Sequence, residues 1–98
     1  MALPGTTEKL SHGEPIFLVR KRAYTMFANN HHHDGRIAVW IPAAPGAQVM
    51  MTHAAPDTYF KPPYVGGAGW IGVALGRIGD DELAGHIREA WQLILRKK

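Results

Sequence analysis

Three short segments rich in β-branched and aromatic residues follow one another closely in the first half of the chain. Residues 15–20 and 23–29 are separated only by Lys21-Arg22, an interval of hairpin length. The third segment, residues 36–41, follows Asp34-Gly35, a dipeptide suited to the positive φ angles of a tight turn. Its two faces carry Ile37, Val39 and Ile41 on one side and Arg36, Ala38 and Trp40 on the other. This spacing predicts successive β-hairpins.

The second half of the chain mixes helix and strand signals. A short helix is predicted between Pro45 and Pro56, and its apolar residues are Ala47, Met50, Met51 and Ala54. Tyr59-Phe60-Lys61 is interpreted as a short edge strand, and a glycine-rich bend leads into residues 70–75, which are apolar on both faces as in a central strand. An amphipathic helix begins at Asp80, with apolar residues at Leu83, Ile87, Ala90, Trp91 and Ile94. The order predicts an α+β fold, a two-layer antiparallel sheet covered by helices, with Trp70 and Trp91 in its core.

Length and composition limit the class of protein. A chain of 98 residues, 46% hydrophobic and 19% charged, predicts a single domain over residues 1–98, and no apolar run approaches the ~20 residues that span a bilayer. The start Met1-Ala2-Leu3-Pro4 lacks the basic and apolar regions of a secretion signal, and cysteine is absent. We therefore expect a cytoplasmic protein. The net charge is +3, and Arg96-Lys97-Lys98 account for it as cations that complement a helix C-terminus.

The opening of the chain carries a family resemblance. Leu3-Pro4-Gly5, Glu8 and the run from Ser11 to Phe17, with the aromatic segment 59–64, resemble the MmcQ/YjbR family, small bacterial proteins to which DNA binding through wing-like hairpins is attributed. The resemblance implies a YjbR-like antiparallel sheet covered by helices, with Pro15 starting an edge strand. Family members usually begin with a helix before the Leu-Pro-Gly turn, and this sequence starts inside that turn. An apolar sheet surface left open there would favour a homodimer or a rearranged N-terminus.

Three motifs suggest chemistry that their context does not support. Gly67, Gly69 and Gly72 fit the dinucleotide fingerprint, but the pattern leads into a strand rather than a helix N-terminus. His31-His32-His33-Asp34 looks like a metal tract, but successive side chains of an extended segment diverge, so at most His31 and His33 could converge, and the further carboxylate and cysteine partners of a metal site are missing. Ser11 and His12 are adjacent, and adjacent side chains of an extended segment point in opposite directions, so a nucleophilic Ser11 would need a remote base such as His53 or His86. We therefore expect a non-enzymatic protein with no catalytic residue, cofactor or metal.

The basic hairpin tip is the best functional candidate. Arg20, Lys21 and Arg22 are adjacent cations that can neutralise phosphates, and Arg36 with Trp40 shares a strand face that would add a stacking contact. The competing interpretation is that the cations keep an exposed edge soluble and that Trp40 packs under the last helix.

Three function classes remain open. The leading one is a small double-stranded DNA-binding domain that contacts phosphates, which the family resemblance favours. The second is a protein interaction or homodimerisation module, and the third is an enzyme with a site in the cleft around Lys61 and Tyr64.

Overall fold

Six antiparallel strands form one sheet in the computed structural model, which describes residues 3–11, 13–29, 37–62 and 65–96. The strands are β1 (Thr6–Ser11), β2 (Glu14–Val19), β3 (Arg22–Asn29), β4 (Ile37–Ile41), β5 (Tyr59–Phe60) and β6 (Ile71–Ala74). The helices are α1 (Ala47–Ala54) and α2 (Asp80–Leu95). The spatial order of the strands is β1-β2-β3-β4-β6-β5, which confirms the α+β fold with an antiparallel sheet.

Strand β1 is the main difference from the prediction. It pairs with β2 along its whole length, from Thr6 opposite Val19 to Ser11 opposite Glu14, and it forms one edge of the sheet. The prediction that Pro15 starts an edge strand is therefore wrong, because β2 lies between β1 and β3. Pro15 lacks a backbone N–H, and this is tolerated because it is the second residue of β2, close to the end of the β1–β2 pairing.

A β-bulge in β3 ties β1 to the interior. Leu18 pairs with Ala23 and Phe17 pairs with Thr25, so Tyr24 is the additional residue on β3. The Tyr24 ring is fully buried, and its hydroxyl lies 2.8 Å from the Thr6 hydroxyl on β1. This hydrogen bond satisfies the one polar atom of a core side chain and links β1 to β3 across β2.

The hydrophobic core lies between one face of the sheet and helix α2. Ile87, Ala90 and Ile94 of α2 pack on side chains from β2, β3, β4, β5 and β6, which are Val19, Tyr24, Val39, Ile41, Tyr59, Ile71 and Val73. Trp91 is half-buried at the margin of this cluster, where its Nε1–H donates to the Pro4 carbonyl at 3.0 Å. Trp70 is half-buried just before β6 and is not part of the cluster, so its predicted place in the core is wrong. Neither described helix combines the length and apolar character needed to cross a membrane.

Candidate nucleic-acid interface

The tip of the β2–β3 hairpin is a two-residue turn made of Arg20 and Lys21. Both have positive φ angles, +52° and +66°, which is the type I′ geometry that matches the twist of the flanking strands. Arg22 is the first residue of β3 and pairs with Val19, so the turn lies one residue earlier than the predicted Lys21-Arg22 interval. All three residues are exposed, as the sequence pattern predicts.

The backbone of this turn is strained because neither residue is glycine or asparagine. A side chain in the left-handed region costs roughly 1–2 kcal/mol per residue. Arg20 recovers part of this cost, since its Nη1 donates to the carbonyl of Leu95 at 3.2 Å. Lys21 makes no hydrogen bond or ion pair with any residue in the described ranges, so its side chain offsets none of the strain there.

The Arg20 contact brings the basic hairpin tip to the C-terminal end of α2. Leu95 is the last residue of α2, and its carbonyl lies at the end of the helix where cations are favoured. The next residue, Arg96, is exposed and therefore lies beside the hairpin tip. We call the exposed side chains of Lys21, Arg22 and Arg96 the basic end. Arg20 is not included, because its side chain is hydrogen-bonded to the end of α2. Lys97 and Lys98 lie outside the described residues.

The two ends of α2 carry opposite charge. Asp80, Asp81 and Glu82 occupy the first turn, where they complement the helix dipole. The 15 steps from Asp80 to Leu95 place them about 22 Å from the basic end at 1.5 Å per residue. A net charge of only +3 thus hides a strong separation of charge along the molecule. Such an arrangement orients the basic end toward a polyanion.

Two other predicted site residues do not join this surface. Trp40 is only 6% exposed, so its indole face cannot stack on a base, and the prediction of a stacking contact is wrong. The prediction that Trp40 packs under the last helix is also wrong: it pairs with Gly72 and Met26 on the sheet face opposite to Val39 and Ile41, which pack against α2. Arg36 lies outside the described residues, as do His12, the run 31–33 and Tyr64.

Comparison with known proteins gives the family. The sequence model of the YjbR family matches residues 1–93. The chain belongs to the YjbR family. No curated protein and no solved structure matches it. The opening segment and the aromatic segment, which carry the resemblance in the sequence, lie within the matched range.

The glycine-rich bend of this YjbR domain is a packed connection. A 3₁₀ turn at Gly66–Ala68 is followed by Gly69 in the left-handed region, and β6 begins two residues later. The side-chain amide of Gln48 donates to the carbonyls of Gly66 at 2.8 Å and Trp70 at 2.6 Å, which holds both ends of the bend. Strand β6, and not the N-terminus of a helix, directly follows this bend, so the context that the dinucleotide fingerprint needs for its anion site is not met here.

A hydrogen-bonded tyrosine and histidine pair was not found from the sequence. The Tyr59 hydroxyl on β5 lies 2.8 Å from His86 Nε2 on α2, and the rings meet edge to face at 5.6 Å. Burial, and secondarily the charge of Glu82, raises the pKa of Tyr59 above its usual value of 10.0. The phenol is protonated at neutral pH, and whether it donates to His86 or accepts from it depends on the tautomer of the imidazole. Spacing along the chain gave no signal, because residues 59 and 86 meet only in the tertiary structure.

The pocket beside this pair is small and mainly apolar. It has a volume of about 80 Å³ between α1 and α2, and His86 and Glu89 are its ionisable lining residues. Among the described residues, histidine, aspartate and glutamate side chains form no group of three that could hold a metal ion.

Proposed function

We propose that this YjbR domain is a non-enzymatic, cytoplasmic protein that binds double-stranded DNA through phosphate contacts at its basic end. The observation that carries the proposal is the Arg20 to Leu95 hydrogen bond, because it unites the cations of the hairpin tip with the cation that follows α2. Phosphates are the common feature of all duplex DNA, and exposed arginine and lysine side chains are their usual partners in proteins. Family membership supports the proposal, because DNA binding through wing-like hairpins is attributed to the family.

The proposed mode of binding is independent of base sequence. The basic end offers cations but no exposed aromatic side chain, since Trp40 is buried. Contacts of this type position a protein on the duplex and carry no direct base information. Three phosphate contacts predict a salt slope of about −2.7, so a fourfold rise in salt should weaken binding by about 40-fold.

The test is a fluorescence-anisotropy titration of the domain with a labelled duplex at low and at fourfold higher salt. We expect binding that weakens steeply with salt and is similar for unrelated duplex sequences. Replacing Lys21 and Arg22 with alanine should lower the salt slope by about 2. Arg77→Ala is the matched control, because Arg77 is an exposed arginine in the 3₁₀ turn Leu75–Arg77, outside the basic end. No binding at low salt, or equal slopes for the double variant and the wild type, would contradict the proposal.

A protein interaction or homodimerisation module is the second candidate. Its specific support is a pair of adjacent apolar side chains on α1, Val49 and Met50, which are 60% and 73% exposed. Association through such a patch should persist at high salt, unlike binding to phosphates. Sedimentation equilibrium of the wild type and of Met50→Lys, at both salt concentrations, separates the two candidates. Salt-resistant self-association that Met50→Lys abolishes would favour this candidate, and a salt-independent monomer in both proteins would remove the homodimer.

A further inference from the structure

A shallow groove lies along one side of α2, and its lining includes Arg96 of the basic end. Its volume is about 450 Å³. One wall is the connection after β4, and the other residues come from α2; the lining residues are Ala44, Gly85, Arg88, Glu89, Gln92, Leu93 and Arg96. The groove lies outside the hydrophobic core and does not include the Tyr59 and His86 pair.

The polar side chains of the groove form one row. Arg88, Gln92 and Arg96 are spaced four residues apart, so they lie on the same side of the helix. All three are exposed, and the Arg88 and Arg96 side chains have no hydrogen-bond or ion-pair partner within the described ranges. Eight residues of helix separate the two arginines by about 12 Å along the helix axis.

The row continues the basic end without interruption. Arg20 is bonded to the carbonyl of Leu95, Arg96 follows in the chain, and Arg96 also lines the groove. We propose that the DNA-binding surface extends into this groove, where one strand of the nucleic-acid backbone lies along α2 with phosphates on Arg96 and Arg88. The inference rests on the proposed function and adds a second part to the site. The occupant is argued from charge complementarity, since unpaired arginines at this spacing fit a repeated anion.

Glu89 allows a test in which a substitution should strengthen DNA binding rather than weaken it. Its carboxylate is exposed and lines the same groove, so it lies within reach of any anion bound there. A phosphate a few ångströms from a carboxylate is repelled by about 1 kcal/mol in water, a factor of about five. Neutralising Glu89 should therefore strengthen DNA binding, whereas removing Arg88 should weaken it. A surface that binds nothing would show neither effect.

The experiment measures duplex binding by fluorescence anisotropy for the wild type, Arg88→Ala and Glu89→Gln across a series of salt concentrations. Arg88→Ala should lower the salt slope by about 0.9, and Glu89→Gln should tighten binding about two- to fivefold at low salt. Arg77→Ala and Asp57→Asn are the matched controls, since both residues are exposed and lie outside the groove. Unchanged thermal unfolding of each variant confirms that the fold is intact.

The outcomes separate this inference from the proposed function. A wild-type protein that does not bind the duplex contradicts both. If the wild type binds and the Lys21 and Arg22 double variant is weakened, but Arg88→Ala and Glu89→Gln behave like their controls, the groove is refuted and the proposed function stands. A weakening by Glu89→Gln would also refute the groove, because its sign is the reverse of that expected for a bound anion.

Discussion

Replacing Lys21 with glycine should make the domain more stable. Lys21 has a φ of +66°, and a side chain in that region costs roughly 1–2 kcal/mol. Glycine removes this cost but loses about 0.5–1 kcal/mol through the greater freedom of the unfolded chain. No described contact of the Lys21 side chain is lost, so the net gain should be about 0.5–1 kcal/mol. For a domain of this size, that gain raises Tm by about 2–8 °C.

Urea denaturation followed by tryptophan fluorescence, together with a calorimetric Tm, measures the effect. Lys9→Gly is the control, because it makes the same chemical change and the same change in net charge on an exposed residue of β1. Lys9 is not among the residues with positive φ, so glycine there should lower the free energy of unfolding by about 0.5–1 kcal/mol. If Lys21→Gly is no more stable than the wild type, or moves in the same direction as Lys9→Gly, the strain at the tip is refuted.

Two further changes test contacts that hold the fold. Gln48→Leu should lower the free energy of unfolding, measured in urea, by about 1–3 kcal/mol, because the Gly66 and Trp70 carbonyls lose their shared hydrogen-bond donor. An unchanged urea midpoint would refute a stabilising role of the two Gln48 hydrogen bonds. Tyr59→Phe should cost about 1 kcal/mol at neutral pH through the lost bond to His86. Burial raises the pKa of Tyr59 in the folded state, so the protonated phenol stabilises the fold fully below pH 10, and this stabilisation is lost as the pH rises through the raised pKa. The loss of stability caused by Tyr59→Phe should therefore become smaller in urea titrations at alkaline pH. A loss that does not change with pH would refute this.

The strands and helices that the sequence predicted correctly are those with a clear repeat of apolar residues or with strong turn signals at their ends. The strands β2, β3, β4 and β6 and the helix α2 follow from their apolar runs and from the repeat of apolar residues. Strand β1 was missed because Thr6–Ser11 reads TTEKLS, a polar run whose pairing is decided by its neighbour β2. The hairpin turn was placed one residue late because Arg20-Lys21 lacks the glycine or asparagine that usually marks two positive φ angles.

The sequence by itself determined the α+β class, the family and the presence of cations at the hairpin tip and after α2, because these follow from local pattern and composition. Tertiary structure alone decided that the hairpin tip lies beside the end of α2 and Arg96, since the Arg20 to Leu95 bond joins residues 75 positions apart. Tertiary structure also decided that the Trp40 side chain is buried. Strand β4 is apolar on both faces, so the alternation of its side chains shows which residues share a face but not whether that face is exposed. Burial depends on how the whole chain packs, so it cannot be predicted from the two-residue repeat of a single strand.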